Sequence, residues 1–396
     1  MKMFSSLPTE LIDAIVDEIL QLKDHISTLG ALSLVSRSFT PSCQQRLWNT
    51  AKLTSDRDTA GFSHRRSLIH AQRLICFPHL AAYARHLRYR VLAPTVQIPQ
   101  EHVEDLNCIA SALKLMTNVI EFDLTYGRKA SSTRLVFSQF PGEWQEAIVA
   151  VTGRKTRRSL SLKRVSLFPV GALQDSVGGL DKLDLYHVSL EGSIDRKDNG
   201  EVFLRRLVSD FDSYRSLRLE PLKPYFYHLK LLELTAHCRL EDIDEGPLCR
   251  ATSLETLRLD VCGSSDDADR PPIHVIFKEL SPTSYATLRH LRLALLHQTL
   301  ETFIRDPLLG LCGPILPSLS ALHSLKLSIH IASPFDVNSY SVYAYSTRGG
   351  SGLHHTSWGK LDAALPTRRW QGSKNCKSCG CGFRSSTRMD STRGGT

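Results

Sequence analysis

The chain has 396 residues, of which 42% are apolar and 22% charged, an ordinary balance for a globular protein of two or three domains or for one extended repeat array. It contains no run of ~18 apolar residues, so no membrane-spanning helix is expected. The net charge of +9 is concentrated at one end: nine Lys/Arg against two Asp from Ser346 onward carry +7, which leaves +2 for the other residues and excludes a charge-based case for nucleic-acid binding by the body of the chain.

Glu10 and Asp13 interrupt the N-terminal stretch where the apolar core of a signal peptide would stand. The seven cysteines from Cys43 to Cys312 show no paired spacing and read as small buried hydrophobes of a reducing compartment. An intracellular protein is expected, in cytoplasm or nucleus.

The first element is "LPTELIDAIVDEIL", residues 7–20. Pro8 suits the first position of a helix, and Glu10 places a carboxylate near the positive end of its dipole. Leu11, Ile12, Ile15, Val16, Ile19 and Leu20 follow at helical spacing, with Glu10, Asp13, Asp17 and Glu18 on an acidic outer side. A second short helix is expected from about Ser27 to Ser36. Thr40 and Pro41 form an N-cap and first-position pair for a third, ending near Trp48. Three helices in under fifty residues make a poor independent core, and their apolar set is wider than one small bundle hides. Such a module is expected to dock, on its own chain or on another protein.

Leu7-Pro8, Glu10-Leu11, Ile15, the "LSLVSRSF" of residues 32–39 and the "RLW" ending at Trp48 resemble an F-box in order and spacing, over about 45 residues. The likeness is greatest to the large, divergent F-box families of filamentous and mushroom-forming fungi, and "FPHLAAYARHLRY", residues 77–89, is similar to the segment that often follows the motif there. The resemblance implies docking on the adaptor subunit of a cullin–RING ubiquitin ligase through apolar side chains in a groove. Carried over by position, Leu7 and Pro8 touch the adaptor first. Leu11, Ile15, Leu32, Val35 and Phe39 are shared between module core and interface in a division the sequence leaves open. Leu47 and Trp48 close the module against the next domain.

Further along, L-x-x-L-x-L recurs at Leu180/Leu183/Leu185, Leu229/Leu232/Leu234, Leu254/Leu257/Leu259, Leu288/Leu291/Leu293 and Leu322/Leu325/Leu327. Val119/Phe122/Leu124 is a looser copy, Leu160/Leu162 and Leu217/Leu219 are half-copies, and Leu87 is a possible start of the series. Spacings of 49, 25, 34 and 34 residues between the clear copies are irregular beside the ~20–29 of leucine-rich repeats. Leucines alternating through short parallel strands point into one shared core, so the residues between them face outward. Asp184, Glu233, Arg258, Asp260, Arg292 and Lys326 are the outward candidates for binding a protein target.

After Tyr345 Ser, Thr, Gly and Arg dominate, a composition that cannot bury enough apolar surface to order itself. Cys376, Cys379 and Cys381 fall one short of the four ligands that zinc takes, so they are a metal candidate only and no cofactor is expected. No P-loop, G-x-G-x-x-G, H-E-x-x-H or G-x-S-x-G motif is present, and a non-enzymatic role is expected. The expected fold is α/β: an F-box over 1–50, a helical linker over 51–117, an irregular leucine-rich-repeat solenoid of parallel strands and helices over 118–345, and a disordered basic tail over 346–396. The expected partners are the ligase adaptor and a protein target, without nucleic acid or membrane. A protein-interaction scaffold outside any ligase is the alternative.

Overall fold

The computed structural model describes residues 7–54, 56–58, 61–92, 100–127, 134–177, 179–192, 204–236, 246–262, 277, 280–297, 318–331 and 340–345. The chain divides into two compact units, Met1–Val202 and Phe203–Thr396. Each carries a parallel strand ladder with helices, so the class is α/β. The tail cysteines Cys376, Cys379 and Cys381 lie outside the described residues.

The first unit opens with three helices, α1 (Thr9–Ile19), α2 (His25–Val35) and α3 (Thr40–Trp48). The starts of α1 and α3 are each displaced by one residue from expectation, and α2, expected from about Ser27, begins at His25. Pro8 is the N-cap of α1, and Phe39 is the N-cap of α3. Thr40 is already helical, and its hydroxyl donates to the carbonyls of Ser33 (2.8 Å) and Ser36 (3.3 Å) instead of accepting from the helix start.

The ladder of this unit runs through β1 (Thr50–Thr54), β2 (His86–Val91), β3 (Glu121–Tyr126), β4 (Ser159–Lys163) and β5 (Lys182–Tyr186), each parallel to the next. Between the strands stand α4 (Arg65–Cys76), α5 (Pro78–Ala81), α6 (Gln100–Leu115), α7 (Gly142–Thr152) and α8 (Val170–Val177). The linker expected to be helical over residues 51–117 therefore holds two ladder strands as well as helices. Its strand "HLRYRV" alternates with period two, and Tyr89 occupies the place of the third leucine of the motif.

Register stacks the inward residues in two rows. Ala51, Leu87, Phe122, Leu160 and Leu183 form one, and Leu53, Tyr89, Leu124, Leu162 and Leu185 the other. All ten are buried, each large side chain being worth about 1.5–3 kcal/mol. Helices α4, α6, α7 and α8 pack one against the next. Trp144 of α7 is wholly buried among Phe137 and Phe140, and its indole N–H donates to the Tyr89 hydroxyl at 3.0 Å. Burial pushes the Tyr89 hydroxyl above its ordinary range, partly offset by that bond.

The second unit continues the same construction. Its strands are β6 (Arg206–Asp210), β7 (Leu231–Ala236), β8 (Thr256–Cys262), β9 (His290–His297) and β10 (Ser324–Ile331), all parallel, with β11 (Tyr340–Tyr345) antiparallel to β10. Leu207, Leu232, Leu257, Leu291 and Leu325 share one register row, and Ser209, Leu234, Leu259, Leu293 and Leu327 the next. The half-copy expected at Leu217/Leu219 is not a strand. Leu217 follows the helix α9 (Phe211–Ser216), whose N-cap Asp210 accepts from the Ser213 amide at 2.9 Å. The copy in the 49-residue gap is Leu204/Leu207/Ser209, hidden because a serine stands where the third leucine would be. Gly246 admits no side chain, since a Cβ there would meet the Tyr214 ring at 2.5 Å.

A backbone signature recurs with each strand. The carbonyl of the residue just before one strand accepts from two successive amides at the start of the next. Asn49, Arg85, Ile120 and Arg158 do this in the first unit, and Arg205, Lys230, Glu255 and Arg289 in the second, at 2.7–3.1 Å. This pins every strand in the same register as its predecessor, which is why leucines of irregular sequence spacing still stack.

Candidate docking surfaces

In α1, Ile12 and Val16 sit one turn apart and face inward. They close on Leu29 of α2, on Phe39 and on Cys43 of α3, making a buried cluster rimmed by Leu7, Ile19, Leu20, Leu32 and Leu47. Burial pushes the Cys43 thiol up, as expected for a packed and inert cysteine. Two polar ties hold the helices in place. The Thr40 hydroxyl binds α3 to the end of α2, and Arg46 of α3 meets Asp17 of α1 at 2.8 Å, a hydrogen bond that holds the guanidinium in its charged form.

A second stripe on α1, one residue earlier than the first, points outward. Leu11 is 52% exposed and Ile15 41%. Leu22, Ile26, Leu34 and Val35 are exposed as well, Leu34 at 88%. Scattered exposed apolar residues are normal, but six large ones on two short helices and their connection are more than such a small module usually leaves in water. Glu10, Asp17, Glu18 and Asp24 are exposed beside it.

The shared set is thus divided by burial. Phe39 belongs to the module's core, Leu7, Leu32 and Leu47 to its rim, and Pro8, Leu11, Ile15 and Val35 to the outside. Trp48 is only partly buried and meets His70 of α4 edge-on, with ring centroids 6.0 Å apart. Burial, with Arg73 nearby, pushes His70 below its ordinary range, so this ring is neutral at pH 7. Ile26 was missed in the sequence, and Leu34, read there as one of the apolar set of the second helix with Leu29, Leu32 and Val35, could not be placed outside, because the apolar residues of α2 show no preferred face.

The outward residues of the ladders form the second candidate surface. In the first unit Lys52, Arg88, Asp123, Ser161 and Asp184 share one register row. Asp184 is paired with Lys182 on its own strand at 2.5 Å, and Lys163 lies 3.9 Å from Asp123. Lys52 and Arg88 escaped the sequence reading because their strands lay in the supposed helical linker. In the second unit Val208, Glu233, Arg258, Arg292 and Lys326 share a row, and Arg258 meets Glu233 at 3.2 Å. Asp260 lies in the neighbouring row, beside Thr235 and Ala294. Four of the six target-binding candidates therefore come together, with Asp260 adjacent and Asp184 in the other unit.

Among the described residues no group of three or more His, Cys, Asp or Glu could hold a metal ion, and no helix is long and apolar enough to cross a membrane. No protein-family model matches the chain, and no curated protein sequence matches it.

Proposed function

We propose that this chain is a substrate-receptor subunit of a cullin–RING ubiquitin ligase: an F-box formed by α1–α3 docks on the ligase adaptor, and a leucine-rich-repeat-like array recruits a protein target. The observation that carries this reading is the exposure of Leu11 and Ile15 beside a core that α1–α3 have already closed. An apolar stripe left outside a finished core has its best use in a groove of another protein. The partly buried Leu7 and exposed Pro8 extend the same end of α1. The role is non-catalytic. Holding a target beside the transfer machinery raises the effective concentration of its lysines, and no reacting group is needed on this chain.

Co-expression of the full chain with a fungal cullin-ligase adaptor, followed by size-exclusion chromatography, tests the reading. A one-to-one complex is expected, and it should be lost in the double variant Leu11→Asp, Ile15→Asp. Elution of a folded chain without the adaptor overturns the ligase assignment and leaves an interaction scaffold that works outside any ligase.

A further inference from the structure

In one copy of the strand motif an arginine stands where the first leucine belongs. Two residues before a ladder strand the chain carries a buried apolar side chain: Val119 before β3, Leu180 before β5, and Leu204, Leu229 and Leu254 in the second unit. Before β4 the residue at this place is Arg157, and its side chain has no exposure to water. The pairing of β4 with β3 on one side and β5 on the other puts it in step with Val119 and Leu180. Its guanidinium lies 5.5 Å from the Phe122 ring centre, and its three side-chain nitrogens find no hydrogen-bond acceptor among the described residues. Burying a cation without partners is costly, and a leucine would fill this place as it does in the other copies. Packing gives no reason for the arginine.

The same turn holds further buried donors. Arg154 gives Nη2 to the carbonyls of Lys114 at 3.1 Å and Leu113 at 3.4 Å, at the end of α6, while its Nη1 is buried without a partner. The hydroxyl of Thr152, the last residue of α7, is also buried without one. The Arg157 amide donates to the Arg154 carbonyl at 3.1 Å, which closes the turn. Burial, and then the charge of Arg154, pushes Arg157 down to about 9, so it is still a cation at pH 7. Among the described residues no carboxylate pairs with either guanidinium, and Glu146 of α7 is exposed and lies 3.7 Å from Lys114. Five buried atoms of this turn thus lack a partner, all of them able to donate, and both charges are positive.

We propose that the turn over residues 152–157 binds a small free oxyanion of the phosphate or sulfate class, held by the Arg157 guanidinium with Nη1 of Arg154 and the Thr152 hydroxyl. The site goes beyond the docking roles proposed above and does not depend on them. A tetrahedral oxyanion presents several acceptor oxygens, and the planar fork of a guanidinium takes two of them at once. It satisfies the buried donors and balances two like charges in one step, whereas water satisfies the donors and leaves the charges. Lys155 and Thr156 are exposed and Arg154 is half-buried, so the turn lies at the surface with Arg157 turned inward. A free ion reaches such a place, and the phosphate of a larger molecule does not.

The test follows thermal unfolding of the full chain in buffer free of phosphate and sulfate, at constant ionic strength, with millimolar phosphate or phenyl phosphate added. Phosphate is expected to raise the melting temperature by about 2–4 °C, and phenyl phosphate by less than half as much. Arg157→Met puts an apolar side chain of similar volume at this place. It should melt no lower than the unchanged chain without the anion, and it should lose the phosphate shift. Arg154→Gln, at a half-buried position, should keep the fold and cut the shift by more than half. The phosphorus NMR line of phosphate should broaden more with the unchanged chain than with Arg157→Met. An equal shift in Arg157→Met overturns the proposal and assigns the effect to other cations or to salt in general. Absence of a shift in the unchanged chain also overturns it and leaves water as the partner of these donors. Equal protection by phenyl phosphate overturns the buried site in favour of one open to solvent. Should Arg157→Met melt too low to compare, a full shift in Arg154→Gln overturns the proposal by itself.

Discussion

In the three-helix module the apolar side chains are split, with Ile12, Val16, Leu29, Phe39 and Cys43 closed into a small core and Leu11, Ile15, Leu22, Ile26, Leu34 and Val35 left in water. In the ladder of the first unit every inward side chain from Ala51 to Leu185 is buried. The difference is one of geometry. A ladder presents a single inward face per strand, and adding a neighbour covers it completely. A helix of eleven residues presents a curved surface, and two companions of similar length cover only part of it. The ladder therefore accounts for its own apolar surface, whereas the module leaves part of its apolar surface exposed.

Measurements can break or sharpen this contrast. The largest effect is expected from Leu257→Ala in the middle of the second unit's ladder, where the side chain is fully buried. Its loss should cost about 2–5 kcal/mol in urea denaturation. A cost under ~1 kcal/mol would mean that the row is loosely packed and the contrast is false.

Polar groups sealed into the helical layer come next. His64, buried before α4 and edge-on to His102 at 5.3 Å, is pushed down to about 4, chiefly by burial and then by the His102 charge. Its unfolded form takes up a proton near pH 6.5 and its folded form only near 4. The stability it contributes is therefore complete above pH 6.5 and is lost as pH falls through 4. Urea melts at pH 7, 5 and 4 should show a loss of about 3 kcal/mol that His64→Gln removes. Equal pH slopes for the two proteins would place His64 in contact with water.

Arg157 gives an effect of opposite sign. Its side chain is buried, its guanidinium lies 5.5 Å from the Phe122 ring centre, and its three side-chain nitrogens find no hydrogen-bond acceptor among the described residues. Burial, with the charge of Arg154, pushes it down to about 9. Replacement by methionine keeps the volume and removes the buried charge, so Arg157→Met should raise stability by about 1–4 kcal/mol. A destabilised variant would reveal a partner that holds the charge.

The smallest effects belong to the module's outer surface. Leu34→Ser, at a side chain 88% exposed, should change stability by less than ~0.5 kcal/mol in the free chain. The exposed Asp17–Arg46 pair should contribute about 0.2–1 kcal/mol in a double-mutant cycle, falling with salt. Should Leu34→Ser prove strongly destabilising, this surface is already covered by the chain itself.

Several elements were readable directly. Helical periodicity marked α1, the L-x-x-L-x-L copies marked β5, β7, β8, β9 and β10, and the looser Val119/Phe122/Leu124 marked β3. Each is a local pattern with a period set by backbone geometry. Copies with a substituted position were harder to see. Ser209 in place of a leucine concealed β6, Tyr89 obscured β2, and Ala51 and Leu53 are too sparse to announce β1. Their strand character comes from the neighbours that pin them, through one carbonyl accepting two amides at each step.

Residue identity by itself determined which side chains must alternate inward along a strand and which helices are amphipathic, because both follow from the angle between successive side chains. It also determined that β9 and β10 carry cations without acids. Tertiary structure alone decided that Phe39 lies inside the module while Ile15 and Val35 lie outside, since a helix with apolar residues on several faces has no preferred one until its neighbours are in place. Register, likewise a property of strand pairs and not of any one strand, decided that Arg258, Arg292 and Lys326, 34 residues apart in succession, stand side by side.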